Sequence, residues 1–484
     1  MSSSQSCSNA LGAFVDHAAS SQIEESLYSQ QGVSYFKGTT IKCTPFSTIK
    51  QKASLNTGVA DFGNEVSWSM SRVGDYAFRA FVSYTLPDLR MAPVTHSLTN
   101  DEGILSSSVR WCRNPGHNLF KEISLTANDL CLQRFTSNYL DMNSEFSVTA
   151  SKKVGYRNMI GDIPRLTNPT QLGTSEVTVG GHLCTTDLPF GFCRDSGNAI
   201  PLAATPYNDL KVSTQLLPID ELLVIDEKWQ HKKADGITYE RIVSRKVVAS
   251  DFVGGVMPRL TDFAPHFMYG IVANQERKAM ACNSRDMVWE QTQQVPKCPF
   301  SKNTAGCLNV DLRLTGTVTC IMFGLENVTY TNARSNYTAN QPVRTPTSLH
   351  YEHSSNHDPV YEFGLTYENT PRDQGHASYY STMSPYMFAP VIPEFTGHHL
   401  YSYALNIESG QPCGSANYSK LSNVAVSLKL TDLAQSFQNF AASDVEDFIA
   451  NHHVHENQNY AVVIVVKNYN IIRSSGGALG FPVM

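Results

Sequence analysis

A chain of 484 residues exceeds the roughly 250–300 residues at which a single hydrophobic core stops growing, so two cores are expected. Hydrophobic residues make up 41% and aromatics 10%, but charged residues only 17%, against roughly 25% in average soluble domains; this suits packed β-structure with extensive subunit contacts better than a solvated helical surface. The 37 basic and 43 acidic residues leave a formal net charge of −6, which removes any general electrostatic reason to bind nucleic acid.

The chain opens on a polar arm, residues 1–32, with one short helix. Ser21-Gln-Ile-Glu24 fits a capping box, Ile23 and Leu27 stand one turn apart, and Gly32 ends the segment. From Tyr35 the pattern becomes β-like, with aromatic and β-branched runs at 66–70, 76–86 and 119–125. Pro87, Pro93, Pro115 and the Asn100-Asp101 pair punctuate them. Residues 201–217 read as the closing strand of a first domain, 33–219. The charged stretch 220–245, with Asp226-Glu227-Lys228 and Lys232-Lys233, reads as a domain junction or a long loop beside one.

A second domain, 246–484, shows strand-like runs at 267–273, 312–325, 400–406, 424–430 and 460–466, separated by polar loops, notably 332–359. In 431–450, Leu433, Phe437 and Phe440 recur at helical spacing before the polar stretch 451–459, which reads as a helical excursion between two strands. Short strands joined by long loops without alternating helices exclude a doubly wound fold and favour sandwiches or barrels. Tyr207-Asn208-Asp209-Leu210-Lys211-Val212-Ser213 near the end of the first domain resembles Tyr469-Asn470-Ile471-Ile472-Arg473-Ser474-Ser475 near the chain's end, a pattern that two tandem copies of one β-domain would produce.

The basic pairs Lys50/Lys52 and Lys232/Lys233 read as solvated loop charges. Eleven cysteines, an odd number without a C-x-x-C pair, and a start lacking a basic-then-apolar signal pattern point to a reducing compartment. Cys184/Cys193 and Cys298/Cys307 share one spacing, but nothing nearby completes a zinc ligand set, so buried thiols are expected. The longest clear apolar run, 460–466, is far shorter than the roughly 20 residues that cross a bilayer. The sequons Asn327-Val-Thr, Asn336-Tyr-Thr and Asn417-Tyr-Ser matter only after secretion, which that start does not suggest.

Several motifs together resemble the major capsid proteins of nucleocytoplasmic large DNA viruses, most closely the iridovirus type. They are GHHLYSYAL at 397–405 with Gln411-Pro412 and Gly414-Ser415-Ala416-Asn417-Tyr418, and the ending Asn468-Tyr-Asn-Ile-Ile-Arg473 with Gly480-Phe481-Pro482. Earlier come Arg110-Trp111 through Asn114-Pro115-Gly116-His117-Asn118, Gly155-Tyr156-Arg157-Asn158-Met159-Ile160-Gly161, Arg194-Asp195-Ser196-Gly197 and Arg285-Asp286-Met287-Val288. The resemblance spans both presumed domains. It implies an all-β chain of two tandem eight-stranded jelly rolls, a double jelly roll with a short N-terminal helical arm, three chains forming a pseudo-hexagonal unit of an icosahedral shell. It further implies self-association, minor capsid and penton proteins as partners, an arm directed towards an internal viral membrane or minor proteins, and a virion assembled in the host cytoplasm. No direct nucleic-acid binding is implied. The helical 431–450 segment departs from the family, whose members carry a shorter or glycine-rich loop there.

No catalytic, cofactor-binding or metal-binding residues are assigned. His452, His453 and His455 cluster, but two are adjacent and only Glu456 stands nearby as a carboxylate, while His398-His399 belong to the capsid-like motif. Neither a G-x-S-x-G elbow nor a phosphate loop is present, and Asp195-Ser196-Gly197 reads as a turn. Tyr379, Tyr380, Tyr386, Phe388, Tyr401 and Tyr403 suit stacking on sugars or bases, yet buried and interface tyrosines are commoner. The rival function is a carbohydrate-active or carbohydrate-binding β-sandwich protein.

Overall fold

The computed structural model describes residues 5–482 except 20, 29–32, 39, 41, 100–101, 233–237, 301–306, 330–331, 333, 340–357, 432–433 and 435–458. The chain divides into two compact units, Met1–Pro45 and Phe46–Met484. The first holds α1 (Gln5–Ala18) and α2 (Gln22–Leu27). The expected capping box opens α2: Ser21 N–H donates to Glu24 Oε2 at 2.9 Å while the Glu24 N–H donates back to Ser21 Oγ. Helix α1 was not read from the sequence: its first turn carries no acidic residue and its Ser- and Asn-containing start has weak helix propensity. Gly32 lies outside the described residues.

The second unit repeats one strand order twice. Its first half contains β1 (Phe46–Lys52), β2 (Glu65–Ser69), β3 (Tyr76–Leu86), β4 (Phe120–Ala127), β5 (Leu130–Thr136), β6 (His182–Asp187), β7 (Leu210–Leu216) and β8 (Thr261–Val272). One sheet runs β1-β8-β3-β6 and the facing sheet β2-β7-β4-β5. The second half contains β9 (Arg285–Gln294), β10 (Cys307–Asp311), β11 (Thr317–Asn327), β12 (Val360–Tyr367), β13 (Thr370–His376), β14 (His399–Ser402), β15 (Val424–Leu430) and β16 (Tyr460–Ser475). Its sheets run β9-β16-β11-β14 and β10-β15-β12-β13. Adding eight to each strand number converts one roll's order into the other's, and all these pairs are antiparallel. The equivalent hairpins β4–β5 and β12–β13 both turn through left-handed Asn, at Asn128 (φ 53°) and Asn369 (φ 66°).

Period-two patterning builds both interiors. In β7, Leu210, Val212, Thr214 and Leu216 are buried and alternate with less buried residues, so one face meets Tyr84, Phe267 and their neighbours on the opposite sheet. In the second roll Phe323 stacks on Phe363 at 4.2 Å across the two sheets, among Leu365, Val426, Leu428 and Ile464.

Three expectations are corrected. The stretch 220–245 is no junction: Leu223–Lys232 and Thr238–Arg245 form a hairpin inserted between β7 and β8, and its first strand pairs with Glu102–Trp111, from the β3–β4 connection, in an added sheet. Its charges misled because Asp226 is a buried partner of Arg110 at 2.8 Å, not a loop charge. The boundary at 246 consequently falls before β8, a strand bound between β1 and β3 of the first roll. The Tyr-Asn match does not superpose either. Tyr207-Asn208 precedes β7, whereas Tyr469-Asn470 lies within β16, the counterpart of β8. The first pair instead meets the chain's final hairpin: Tyr207 N–H donates to Gly477 O at 3.2 Å and Leu479 N–H to Asn208 Oδ1 at 2.7 Å.

Two helices between β5 and β6 also escaped the reading, α3 (Ser137–Ser147) and α4 (Ala150–Ile160). The run 312–325 is interrupted by Gly316 at φ 84°, and the strand starts at Thr317. Lys50 and Lys52 are exposed as expected, but on β1 and not in a loop. The expected loop 332–359 and helical excursion 431–450 fall largely outside the described residues.

Candidate assembly site: the seam between the rolls

The uninterrupted apolar run of β16 has a geometric cause. Along one strand face, Val462, Ile464 and Val466 fill the second roll's own interior; along the other, Val463 and Val465 join the cluster that contains the first roll's core. Neighbouring β11 divides the same way, Ile321, Phe323 and Leu325 against Cys320 and Met322. The sheet β9-β16-β11-β14 is therefore buried on both faces, and a strand so placed reads as continuous and not alternating.

What it packs against comes from β5, α3 and the segment after β6. Phe135, Phe190 and Phe192 form an aromatic row with centroid spacings of 5.1 and 5.6 Å, and Phe192 meets Trp289 of β9 at 5.8 Å. Along the strand edges Gln291 Nε2 donates to Leu132 O at 2.6 Å and Thr292 Oγ1 to Arg134 O at 2.8 Å, and Thr136 bonds Gln294.

The charged side chains buried here form ion pairs, as low-dielectric surroundings favour, while the Trp289 indole N–H is buried without a hydrogen-bond partner among the described residues. Arg194 lies between Glu290 and Glu408, and Lys467, 2% exposed, reaches Glu290 at 3.0 Å and Glu408 at 3.6 Å. On α3 and α4, Lys153 binds Glu145 at 2.7 Å, Arg157 binds Glu394, and Arg113 and Arg157 both lie over the Phe395 ring. Burial raises the Glu145 carboxyl, but the Lys153 charge and hydrogen bond outweigh it and hold it below the usual range.

Beneath this lies a closed network. His117 Nδ1 is 2.7 Å from Asp141 and its Nε2 is 2.7 Å from the Tyr156 hydroxyl. An imidazole that donates from Nδ1 to Asp141 and accepts at Nε2 from Tyr156 satisfies both partners; burial pushes the Tyr156 phenol well up, which keeps it a donor. Asn114 donates to Asp141 at 3.0 Å, and Ser335 from the second roll donates to its other oxygen. Asn118 donates to Ser335 Oγ at 2.7 Å and Asn138 to Tyr337 OH at 3.0 Å, both across the seam. Gly397 sits at φ 91° where a Cβ would lie 1.9 Å from Tyr337 O, so only glycine lets the chain pass.

The motifs that carried the resemblance thus converge: His117 and Asn118, Tyr156 and Arg157, Arg194, Met287, and Gly397 with His398. Sequence reading missed the seam. Its available signal was strand-like runs apolar at every position, beside His, Asn and Gly residues with no role in a strand.

His398 and His399 are separated by their strand. His398 Nδ1 faces Phe395 O at 3.3 Å beside the Tyr337 ring, while His399 Nε2 meets Asp358 at 2.9 Å and stacks on Phe323 at 4.9 Å in the second core. They cannot share one ion. His452, His453, His455 and Glu456 lie outside the described residues, and among the described residues no three ligand-type side chains converge. Asp195-Ser196-Gly197 is a turn, Asp195 Oδ1 accepting from Gly197 N–H at 3.1 Å. Tyr380 is buried with its hydroxyl on Asp373 at 3.0 Å, Tyr403 and Tyr418 pair at 2.8 Å, and Tyr379 and Tyr386 are exposed. Asn327 and Asn336 are each 1% exposed and closed off by bonds to Thr338, so only Asn417 among the sequons is accessible. Cys184 is a buried thiol pushed up to about 12 by burial, but Cys193 and Cys298 are partly exposed and Cys307 is exposed, against expectation.

A family model described as large eukaryotic DNA virus major capsid protein matches residues 276–480, and one described as major capsid protein N-terminus matches 34–249. The chain belongs to this family. The major capsid protein of Invertebrate iridescent virus 3 is 36% identical over 480 residues, 97% of this chain and 98% of that protein. That of Rana tigrina ranavirus is 32% identical, covering 97% of each. Among solved structures, PBCV-1 VP54 aligns over 93% of this chain and 100% of its own with TM-score 0.69 at 19% identity. The Faustovirus major capsid protein aligns over 94% of both with TM-score 0.66 at 13% identity. The fold is the double jelly roll, and the protein is a viral capsid component; the carbohydrate-binding alternative finds no support.

Proposed function

We propose that this chain forms trimeric capsomers in which three chains present six similar rolls, a pseudo-hexagonal tile for the flat facets of an icosahedral shell. The supporting observation is the repeated strand order held as one block by the seam. A tile needs its two rolls fixed at a constant angle, and a sheet buried on both faces, flanked by paired buried charges, leaves no hinge between them. The roll division that fits is 46–272 and 285–484, joined by α5 (Asn274–Cys282). In this reading the protein has no catalytic role or cofactor, and shell assembly in the host cytoplasm adds minor capsid and penton proteins, with the Met1–Pro45 arm facing inward towards them or an internal membrane. Mass photometry of the full chain tests it: a species of three times 53.5 kDa, three-lobed with a hexagonal outline in negative stain, is expected. A protein that stays monomeric at micromolar concentration overturns the proposal.

A further inference from the structure

The strand repeat identifies surfaces that one chain leaves without a counterpart. Within the chain, β9 and the outer face of β9-β16-β11-β14 are covered by β5 and the helices that follow it. The first roll has the same sheet, β1-β8-β3-β6, and the second roll has the same covering elements: β13 followed by a π-helical turn, Tyr379–Met383, and α6 (Ser384–Phe388). Among the described residues these equivalents meet no counterpart from the other roll, although α4 and residues 191–194 of the same chain pack against β6 and β3. Strand β1 is exposed except at Ile49 and β13 is mostly exposed, whereas their counterparts β9 and β5 are largely buried or half-buried. Strand β8 is buried at alternate positions through 265–269, where β16 is buried at every position from Tyr460 to Asn468.

Both surfaces present exposed or half-exposed apolar side chains. Tyr379 (43% exposed), Met383 (48%), Tyr386 (71%) and Met387 (43%) make the helical stretch an uncharged apolar knob. Aromatic and Met side chains of this kind are the usual anchors of protein interfaces. Where α3 and α4 of the same chain meet the outer face of β8-β3-β6 there is a groove of about 850 Å³, lined by Phe81, Met268 and Asp187 of the sheet, by Met159 of α4, and at its inner end by Glu290 and Lys467 of the seam. Phe81 and Met268 supply apolar surface there, and Leu183, further along the sheet opposite Thr85, is 63% exposed.

We infer that the knob at 379–388 of one copy seats on the outer face of β1-β8-β3-β6 of a second copy, repeating between chains the seam that exists within each chain. Two different patches meeting in this way form a heterologous contact, which closes into a ring when the rotation allows. Alternating internal and external seams then produce six rolls from three chains. The inference rests on the trimer reading above and specifies which surfaces make it.

Two variants test it in the full chain, Tyr386→Asp with Met387→Asp on the knob, and Phe81→Asp with Leu183→Asp on the sheet. Each is expected to abolish the three-chain species in sedimentation, raising the concentration needed for association roughly 30-fold or more. The decisive measurement is an equimolar mixture. Each variant retains one intact patch, so the mixture should form a two-chain species that cannot close to three. Variants that stay trimeric alongside a trimeric wild type overturn the inference and leave the proposed function standing. A mixture of folded monomers, judged by unchanged thermal unfolding, that yields no two-chain species overturns it as well. If the sheet variant unfolds, Leu183→Asp alone, on an already exposed side chain, takes its place in both measurements. A wild type that is itself monomeric defeats the trimer reading instead.

Discussion

At the scale of single residues, the seam makes the protein sensitive to acid through His398. Its ring is 5% exposed, and burial holds its pKa below the usual imidazole value although Glu145 and Asp141 pull it up. The unfolded chain, with pKa near about 6.5, then binds a proton that the folded chain resists. His398 is therefore neutral at no cost above about pH 6.5, and stability falls as pH drops below that value until the folded pKa is reached. Glu145 acts in a lower window. Its depressed pKa contributes stability above roughly 4.3 that is lost as pH falls through the folded value. Denaturant midpoints measured from pH 7 to 5 should decline for the wild type and decline less for His398→Gln. Equal slopes for the two proteins would show that the ring's burial does not govern this window.

Among elements, the inserted hairpin 223–245 depends on a buried ion pair whose removal is expected to be asymmetric. Arg110 and Asp226 are 3% and 1% exposed at the side chain, so Arg110→Ala leaves a carboxylate without its partner and should cost roughly 3–5 kcal/mol. Replacing both by Met and Leu should recover most of it; chemical denaturation of the three proteins decides, and a double variant as unstable as the single one contradicts the account. The same pair shows why the hairpin was illegible in sequence, since a charge run implies solvent unless its partner, here 116 residues away, is known. Alternating strands such as 76–86 and 424–430 were readable because each buries one face, and the α2 capping box because its signal is local. Strand β8 was assigned to the wrong roll, as strand membership is a matter of long-range pairing that periodicity does not encode. In the arm, Leu11, Phe14, Val15, Ile23 and Leu27 are all at least 60% exposed, apolar groups that no core uses. Deleting residues 1–45 should leave the unfolding midpoint unchanged while reducing shell assembly, and a large drop in that midpoint would assign the arm to the folded core.

For the whole molecule, the shared sheet determines how the two rolls unfold. Met287, Trp289, Cys320, Met322, Leu400, Val463 and Val465 belong to strands of the second roll, yet they lie in the cluster built around the first. Separating the rolls would expose all of them, together with Lys467 and its two carboxylate partners. Each buried large apolar side chain contributes about 1.5–3 kcal/mol, so the seam's contribution is comparable to the roughly 5–15 kcal/mol that keeps a whole domain folded. Neither roll can then lose structure without withdrawing most of the other's stability, which couples them into one cooperative unit despite a length that ordinarily yields independent domains. Calorimetry on residues 46–484 should show a single transition whose calorimetric and van't Hoff enthalpies agree. Trp289→Ala, which opens the seam without touching the second roll's own interior, should lower that one transition by roughly 3–5 kcal/mol and begin to split it. Two well-resolved transitions in the wild type would mean that the rolls are merely adjacent, and the fixed angle on which a pseudo-hexagonal tile depends would have to come from contacts between chains.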